Sequence, residues 1–239
     1  MSATAQPRPR SGPKPTSRFR WRRWLGVLTL VLLLGPAAVM LIYRFVPPPA
    51  SMVMLERRAH GVTIEKRWVP LSAMSPWLPK AAIASEDNRF CQHWGIDAGA
   101  LKEQIDKAMA GGSPRGASTI TQQTAKNLFL WDGRDPVRKV LEAWLAPQLE
   151  LLLGKRRILE IYLNIVELGR GVYGVEAASE RYFHRHAKDL TEQEASLLVA
   201  VLPAPLRWSP VRPTPLVAFR ARVARLRIGQ LGPLLDCAP

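Results

Sequence analysis

The chain has 239 residues, with 34 Lys and Arg against 19 Asp and Glu and a formal net charge of +15. Its 47% hydrophobic content excludes a disordered chain, and its two cysteines exclude a disulfide-built scaffold or a Cys-rich zinc module. The positive excess favours an anionic partner, which leaves nucleic acid, a membrane surface and a phosphorylated substrate as classes. The distribution of the charge along the chain separates them.

The first 23 residues form a basic tail. They contain seven Lys and Arg residues and no acidic residue, with Pro, Ser, Thr and Gly between them. Such a composition lacks the apolar residues needed for a core. We predict an unfolded tail over residues 1–23.

An uncharged apolar segment follows at residues 25–43. As a helix it spans roughly 28 Å, close to the hydrocarbon thickness of a bilayer. Trp24 and Tyr43 lie at its ends, where interfacial aromatic residues are common. We predict a transmembrane signal anchor over residues 24–46, with a buried core helix and a cleaved signal peptide as alternatives. The positive-inside rule then places residues 1–23 in the cytoplasm and 47–239 outside it, which argues against nucleic acid as the partner.

The remaining chain shows mainly helical patterns. Residues 51–70 mix β-branched, aromatic and charged residues and favour a short strand or hairpin. Ser75 and Pro76 are typical of a helix start, and the helix they open is predicted to run through Phe90. Capping-box patterns occur at residues 119–122 and 191–194, and apolar residues recur at three-and-four spacing between them. We predict one mostly α-helical domain.

Three motif matches are weak. Residues 169–174 spell G-x-G-x-x-G but follow a helical pattern, so a dinucleotide site is not indicated. Residues 111–118 have Walker A spacing without its lysine. His184 and His186 could bind a metal, but no third ligand lies at a suitable spacing, so a solvated loop is the favoured interpretation.

Two glutamates are candidate catalytic residues. Glu86 lies among small and apolar residues on a predicted helix, where desolvation raises a carboxyl pKa towards that of a general base or acid. Its alternative is a surface pair with Arg89. Glu142 follows Arg138 and Lys139 by one turn, and a structural ion pair is its alternative.

The segment 116–123 joins a glycine, hydroxyl groups and a predicted helix start. This arrangement suits a phosphate or sugar, and simple helix capping is the alternative. Lys126 and Arg134 follow and add positive charge.

Five ordered motifs in this region resemble those of the peptidoglycan glycosyltransferases of family 51, the polymerising domain shared by bifunctional penicillin-binding proteins and monofunctional transglycosylases. The first is carried by Glu86, Asp87, Phe90, His93 and Gly95, and the second by Gly116, Ser118, Thr119, Gln122, Gln123, Lys126 and Asn127. The third is carried by Arg138, Lys139 and Glu142, and the fourth by Lys155, Ile158, Leu159, Glu160, Tyr162, Leu163 and Asn164. The fifth is carried by Gly171, Gly174, Ala177, Ala178, Tyr182 and Phe183.

The resemblance implies a mainly α, lysozyme-like helical domain with a small membrane-apposed subdomain, preceded by one N-terminal transmembrane helix. It implies polymerisation of lipid II into β-1,4-linked glycan, with inversion at the donor MurNAc and release of undecaprenyl pyrophosphate. By the matching positions, Glu86 is the general base and Glu142 the second essential carboxylate. The donor pyrophosphate and sugar are assigned to Ser118, Thr119, Gln123, Lys126, Asn127, Arg134, Arg138 and Lys139.

The same resemblance sets the expected surroundings. No cofactor is required, and a divalent cation, Mg or Mn, near the pyrophosphate is left open, with no metal ligands assigned. The expected partners are lipid II, the growing glycan strand and the membrane, with other cell-wall synthesis or division proteins left open. The protein is expected in the inner membrane, with its catalytic domain in the periplasm and a role in cell wall biogenesis and cell shape. Residues 98–115 are a candidate mobile flap over the donor site, with a solvent loop as the alternative.

Two other function classes stay open at this point. A lytic enzyme needs one acid and no pyrophosphate cations, and an inactive scaffold would have lost Glu86 or Glu142, so both are disfavoured. No Ser-x-x-Lys or Lys-Thr-Gly motif follows the fifth motif, which predicts glycan polymerisation without transpeptidation. Whether Cys91 and Cys237 are bonded is left open.

Overall fold

The structure, a computed structural model, describes residues 17–112, 116, 118–133, 135–235 and 237. This part of the chain forms ten α-helices and three short strands. The helices are α1 (Ser17–Tyr43), α2 (Met52–Ala59), α3 (Trp77–Glu86), α4 (Ala98–Met109), α5 (Ile120–Phe129), α6 (Pro136–Leu153), α7 (Lys155–Ile165), α8 (Val175–Phe183), α9 (Glu192–Ala200) and α10 (Pro215–Leu231). The strands are β1 (Glu65–Lys66), β2 (Glu167–Gly169) and β3 (Val172–Tyr173). The mainly α prediction is confirmed.

Helix α1 is long and apolar enough to cross a membrane over Arg23–Tyr43, and nearly all of that stretch is exposed. It begins at Ser17, so residues 17–23 are helical and the prediction of an unfolded tail is wrong there; residues 1–16 lie outside the described residues. Residues 17–23 contain no glycine or proline, so nothing in their sequence interrupts the helix.

The end of α1 is fixed to the globular part by backbone acceptors. Arg44 Nη1 donates to the carbonyl of Leu152 at 2.7 Å, and Arg157 Nε donates to the carbonyl of Tyr43 at 2.9 Å. Met40 is fully buried at the same junction. The apolar helix is therefore joined to α6 and α7 through specific contacts.

Two groups of helices build the core. In one, α3 packs against α9 and α10; in the other, α5 packs against α6 and α7. Each helix buries one apolar face, as α10 does with residues at four-and-three spacing: Val217, Ala221, Ala224, Ile228 and Leu231. The two groups meet where α3 ends and α5 begins, and this junction carries the candidate site.

A three-stranded sheet in the order β1-β3-β2 replaces part of the predicted helical pattern. Strand β1 pairs parallel with β3, and β2 pairs antiparallel with β3. Residues 51–70 thus hold both α2 and β1, so the prediction of only a strand or hairpin there was incomplete. Residues 169–174, expected to follow a helix, instead include the end of β2 and all of β3. Gly171 has φ +76° and a Cβ there would lie 2.2 Å from the carbonyl oxygen of Thr63, so only glycine fits.

Helix starts follow the sequence patterns closely. Both predicted capping boxes form, with Thr119 and Gln122 at α5 and with Thr191 and Glu194 at α9. Helix α3 begins two residues after Ser75, whose hydroxyl donates to the carbonyl of Leu190 at 2.7 Å. It ends at Glu86, four residues before the predicted end.

Helix α4 covers residues predicted to form a flap. Asp97 caps it, and none of its residues is buried. Leu101, Ile105 and Met109 form an exposed apolar stripe at four-residue spacing. The segment is helical over 98–109 rather than an irregular loop, and residues 113–115 of the predicted flap lie outside the described residues.

A disulfide joins Cys91 to Cys237, with their Cα atoms 5.5 Å apart. Cys91 lies in the 3₁₀ turn Phe90–Gln92 shortly after Glu86, and Cys237 follows the 3₁₀ turn Gly232–Leu235 that extends α10. The bond, left open by the sequence, ties the far end of α10 to the segment that follows α3.

Candidate functional site

A cleft of about 1060 Å³ opens at the junction of the two helix groups. Its walls come from the C-terminal end of α3, from α4, from the N-terminal end of α5 and from α10. Of the residues predicted for the site, Glu86, Ser118, Thr119 and Gln123 line this cleft.

Glu86 lies at the last position of α3, with its side chain 12% exposed. Its Oε2 accepts a hydrogen bond from Gln123 Nε2 at 3.1 Å, and its Oε1 accepts one from the Ser85 hydroxyl at 3.3 Å. Arg220 Nη2, on α10, lies 3.6 Å from Oε1. Three structural elements therefore determine the surroundings of one carboxylate.

Burial raises the pKa of Glu86 above its usual range, and the negative charge of Asp87 adds to the effect. The hydrogen bond from Gln123, the charge of Arg220 and the hydrogen bond from Ser85 lower that pKa in part. The result is a carboxylate with a greater proton affinity than a solvated glutamate. This is the property that general-base catalysis requires.

Asp87, next to Glu86, makes structural contacts. It caps α3, and its carboxylate lies 2.9 Å from His93 Nε2 and accepts the backbone N–H of Ile120 at 3.0 Å. The hydroxyl of Thr119 donates to the carbonyl of Gly95 at 2.6 Å. These bonds join the first motif to the second and fix the distance between Glu86 and α5.

Glu142 lies in a second polar cluster, outside the lining of the cleft. It is buried, and its Oε1 accepts from Arg138 Nη1 at 2.5 Å while its Oε2 accepts from Lys139 Nζ at 2.8 Å. Lys139 Nζ also donates to the hydroxyl of Ser118 at 2.5 Å. Because Ser118 lines the cleft, this bond connects the cluster to the cleft.

Lys126 lies on α5 and is half-buried. The positive charge of Arg138 and the negative charge of Glu142 both act on it. Burial lowers the pKa of its ammonium, and so does the charge of Arg138, while Asp132, Glu142 and Glu167 raise it. Within the described ranges the ammonium makes no hydrogen bond or ion pair. A desolvated cation without such a partner is suited to receive an anionic ligand.

The remaining predicted residues divide into two cases. Asn127 is buried on α5 beside Lys126. Arg134 lies outside the described residues, so its assigned role stays a prediction.

The residues around Glu142 do not fit a protein-bound divalent cation. Such a cation takes several oxygen ligands, mostly carboxylates and carbonyls. In the described part of the chain, both oxygens of Glu142 are bound by Arg138 and Lys139. The Glu142 oxygens therefore already have cationic partners and are not free to bind a metal ion.

A group with metal-ligand chemistry occurs elsewhere. His186 Nδ1 lies 2.7 Å from Glu176 Oε1 and 3.6 Å from Glu180 Oε1, so two carboxylates flank the histidine. Arg67 is paired with Glu180, and the backbone N–H of Ala187 donates to Glu176 at 2.7 Å. These bonds close the turn after α8, and His184 is not part of the group.

The sequence patterns did not indicate two residues that contact Glu86 or its partner Gln123. Arg220 lies in an arginine-rich helix without a motif, so its approach to Glu86 had no sequence pattern to indicate it. Tyr162 is fully buried, and its hydroxyl donates to Gln123 Oε1 at 3.0 Å. This bond orients the amide so that its Nε2 faces Glu86. The match of Tyr162 to the fourth motif was an available clue.

Other residues of the fourth motif hold the scaffold. Lys155 Nζ donates to Glu150 at 2.7 Å and lies 4.4 Å from the ring centre of Phe90. Asn164 exchanges two hydrogen bonds with the backbone of Val69. These contacts support the region behind Glu86 without entering the cleft.

The sequence of this chain is similar to those of several known proteins. A sequence profile of the family described as "Transglycosylase" matches residues 54–227. The chain is 51% identical to the biosynthetic peptidoglycan transglycosylase of Rhodospirillum centenum over 209 residues, covering 87% of this chain and 90% of the relative. It is 46% identical to that of Caulobacter vibrioides over 201 residues, covering 84% and 88%. It is 45% identical to that of Pseudomonas fluorescens over 221 residues, covering 90% and 92%.

Proposed function

The chain belongs to the transglycosylase family as a peptidoglycan glycosyltransferase, and from this premise we propose that it polymerises lipid II by direct displacement at the donor sugar. The observation that carries the proposal is the largely buried Glu86 in a large cleft, connected to a separate cation cluster through Ser118 and Lys139. A base and a group of cations are the two requirements of a glycosyl transfer whose leaving group is a pyrophosphate.

Glu86 is the general base. Its carboxylate accepts the proton of the acceptor GlcNAc 4-hydroxyl as that oxygen bonds to the anomeric carbon of the donor MurNAc. The bond from the anomeric carbon to the pyrophosphate oxygen breaks in the same step, so the α-linked donor becomes a β-1,4 linkage with inversion. Gln123 holds one oxygen of the carboxylate, which leaves the carboxylate oriented towards the cleft.

The cation cluster, which consists of Lys126, Arg138 and Lys139, stabilises the leaving group. Undecaprenyl pyrophosphate gains negative charge as the bond breaks, and preorganised cations stabilise that charge most effectively in a desolvated site. Lys126 is half-buried with no acceptor among the described residues, while Arg138 and Lys139 are held by Glu142. Glu142 thus keeps two cations in place. Arg134 joins this set by the resemblance of its position.

Topology follows from the charge and the apolar helix. Residues 1–23 lie in the cytoplasm, residues 24–46 cross the inner membrane, and residues 47–239 form the periplasmic domain. The apolar Arg23–Tyr43 stretch and the basic residues before it support this orientation. A catalytic domain joined to a membrane helix is well placed for a lipid-linked substrate.

The reaction stops at glycan polymerisation, without peptide cross-linking. The cleft contains a carboxylate base and cations, and no Ser-x-x-Lys or Lys-Thr-Gly motif follows the fifth motif.

The test is a polymerisation assay with the full-length protein in detergent and labelled lipid II. We expect glycan polymer that a β-1,4-muramidase digests, with release of undecaprenyl pyrophosphate and no cross-linked peptide. The variant Glu86→Gln is expected to lose about 10²–10⁴-fold in rate, the range for removing a general base. Its thermal unfolding should match that of the wild type.

Asp189→Asn is the matched control, because Asp189 is exposed and lies outside the cleft. It should retain full activity. Near wild-type polymerisation by Glu86→Gln would disprove the assignment of the base. Solubilisation of sacculi without formation of polymer would identify a lytic enzyme instead.

A further inference from the structure

We infer that Arg220 is a positioning residue for the general base: its guanidinium keeps the Glu86 carboxylate ionised and turned into the cleft until the acceptor hydroxyl arrives. This inference rests on the proposed function of Glu86. It concerns a residue outside the five motifs and on a different helix from every residue assigned to them.

Arg220 faces Oε1 of the carboxylate, the oxygen that also accepts a hydrogen bond from the Ser85 hydroxyl at 3.3 Å. Gln123 binds Oε2 at 3.1 Å, whereas Arg220 Nη2 lies 3.6 Å from Oε1. A separation of 3.6 Å is too long for a hydrogen bond but close enough for strong Coulomb attraction. The charge of Arg220 therefore acts on Oε1 without itself hydrogen-bonding to the carboxylate.

The other groups facing Glu86 do not supply this positive charge. On its own segment Asp87 is negative and is paired with His93, and Gln123 of α5 is neutral. Tyr162 of α7 is neutral and donates to Gln123. In the described part of the chain, Arg220 is the cation within 4.0 Å of the Glu86 carboxylate.

A neighbouring arginine on α10 is occupied by a different acceptor. Arg227 also lines the cleft, and its Nη1 donates to the carbonyl of Ala84 at 3.3 Å. It binds the backbone of α3 two residues before Glu86. Two arginines of α10 thus contact the end of α3, one through the backbone and one through the carboxylate.

Arg220 is itself held in place rather than free in solvent. Its side chain is 33% exposed, and its guanidinium carbon lies 5.9 Å from the ring centre of Trp208. Its Nε is buried and has no hydrogen-bond partner among the described residues. A fixed guanidinium with spare donors fits a group that orients an ionised carboxylate.

The sign of the expected effect follows from electrostatics. Burial raises the pKa of Glu86, so at low pH part of the base is protonated and inactive. The positive charge of Arg220 opposes that rise. Removing it should raise the pKa further and move the acidic limb of the rate profile to higher pH.

The experiment is the pH profile of kcat/KM for lipid II polymerisation by the full-length protein. Arg220→Gln is expected to move the acidic limb up by about one pH unit, the lower end for an opposite charge at this range. At pH values on the acidic limb its activity should be about tenfold below that of the wild type, and at high pH it should approach the wild-type value. Arg220→Lys keeps a cation and should stay within about threefold of wild type at low pH.

Arg222→Gln is the matched control, because Arg222 is exposed on the same helix and does not line the cleft. Its profile should coincide with that of the wild type. If Arg220→Gln does not fold, Arg220→Met preserves the packing on Trp208 and gives the same measurement.

The two hypotheses fail in different ways. Absence of polymer from the wild type would disprove the proposed function itself. If the wild type polymerises lipid II but Arg220→Gln has its acidic limb at the wild-type pH, the role of Arg220 alone is overturned. This holds whether the rate of the variant falls equally at every pH or does not fall.

Discussion

The two candidate catalytic glutamates of this protein, Glu86 and Glu142, have opposite surroundings. Glu86 has one cation at 3.6 Å and hydrogen bonds from an amide and a hydroxyl. Glu142 has a guanidinium at 2.5 Å and an ammonium at 2.8 Å, one on each oxygen. A base needs a lone pair that is accessible and has proton affinity, whereas a counter-ion needs neither. The surroundings of Glu86 thus suit the proposed proton transfer, whereas those of Glu142 hold two cations in place.

The origin of the partners explains the difference. Arg138 and Lys139 lie four and three residues before Glu142 on α6, so a single helix turn brings them to the carboxylate. The partners of Glu86 other than Ser85 come from α5 and α10, which are distant in sequence. Local contacts make a tight ion cluster around Glu142, and tertiary contacts make the looser arrangement around Glu86 that the proposed base requires.

The largest expected change in stability comes from Glu142→Gln. Removing one member of a buried ion pair leaves its partner uncompensated, at a cost of about 3–5 kcal/mol in the free energy of unfolding. Chemical denaturation measures it. Glu86→Gln is the comparison. Because the pKa of Glu86 is raised in the folded state, the fold loses stability as the pH rises from the pKa of the unfolded chain through that of the folded protein. Glutamine should therefore leave the free energy of unfolding at neutral pH unchanged or higher. Equal destabilisation by the two variants would contradict the contrast.

The next effect concerns catalysis at the cation cluster. Lys126→Gln removes a desolvated positive charge assigned to the leaving pyrophosphate, so the polymerisation rate should fall about 10²–10³-fold, as for other preorganised charge-stabilising groups. Stability should be unchanged or higher, because the ammonium is half-buried without an acceptor among the described residues. Lys188→Gln, at an exposed position, is the control. An active Lys126→Gln variant would separate the cluster from the chemistry.

The smallest of these effects is specific to the Glu86 side of the molecule. Cys91→Ser combined with Cys237→Ser removes the bond between the segment after α3 and the end of α10. We expect the free energy of unfolding to fall by about 2–4 kcal/mol, typical for a disulfide. Thermal unfolding with and without a reducing agent checks it, since the double variant should no longer respond to the agent. A wild-type protein that is equally stable when reduced would contradict this prediction.

Much of the fold was predictable because its causes are local. The apolar helix, the two capping boxes and the helical pattern from residue 136 to 165 depend on neighbours within a few residues. The errors occur where tertiary contacts override local pattern. Residues 172–173 are a strand because β1 pairs with them, and α3 stops at Glu86 because Asp87 turns away to bind His93 and Ile120.

The sequence by itself determined the long apolar helix, the helical class, the ordered motifs and the pairing of Glu142 with its cations, because each depends on composition or on spacing within one or two helix turns. Only the tertiary structure decided that Arg220 lies beside Glu86, that Tyr162 orients Gln123 and that Cys91 meets Cys237. These contacts join residues far apart in the chain, and no local pattern records them. The positive charge shows the same division: its excess was evident from composition, but only packing placed one arginine 3.6 Å from the base.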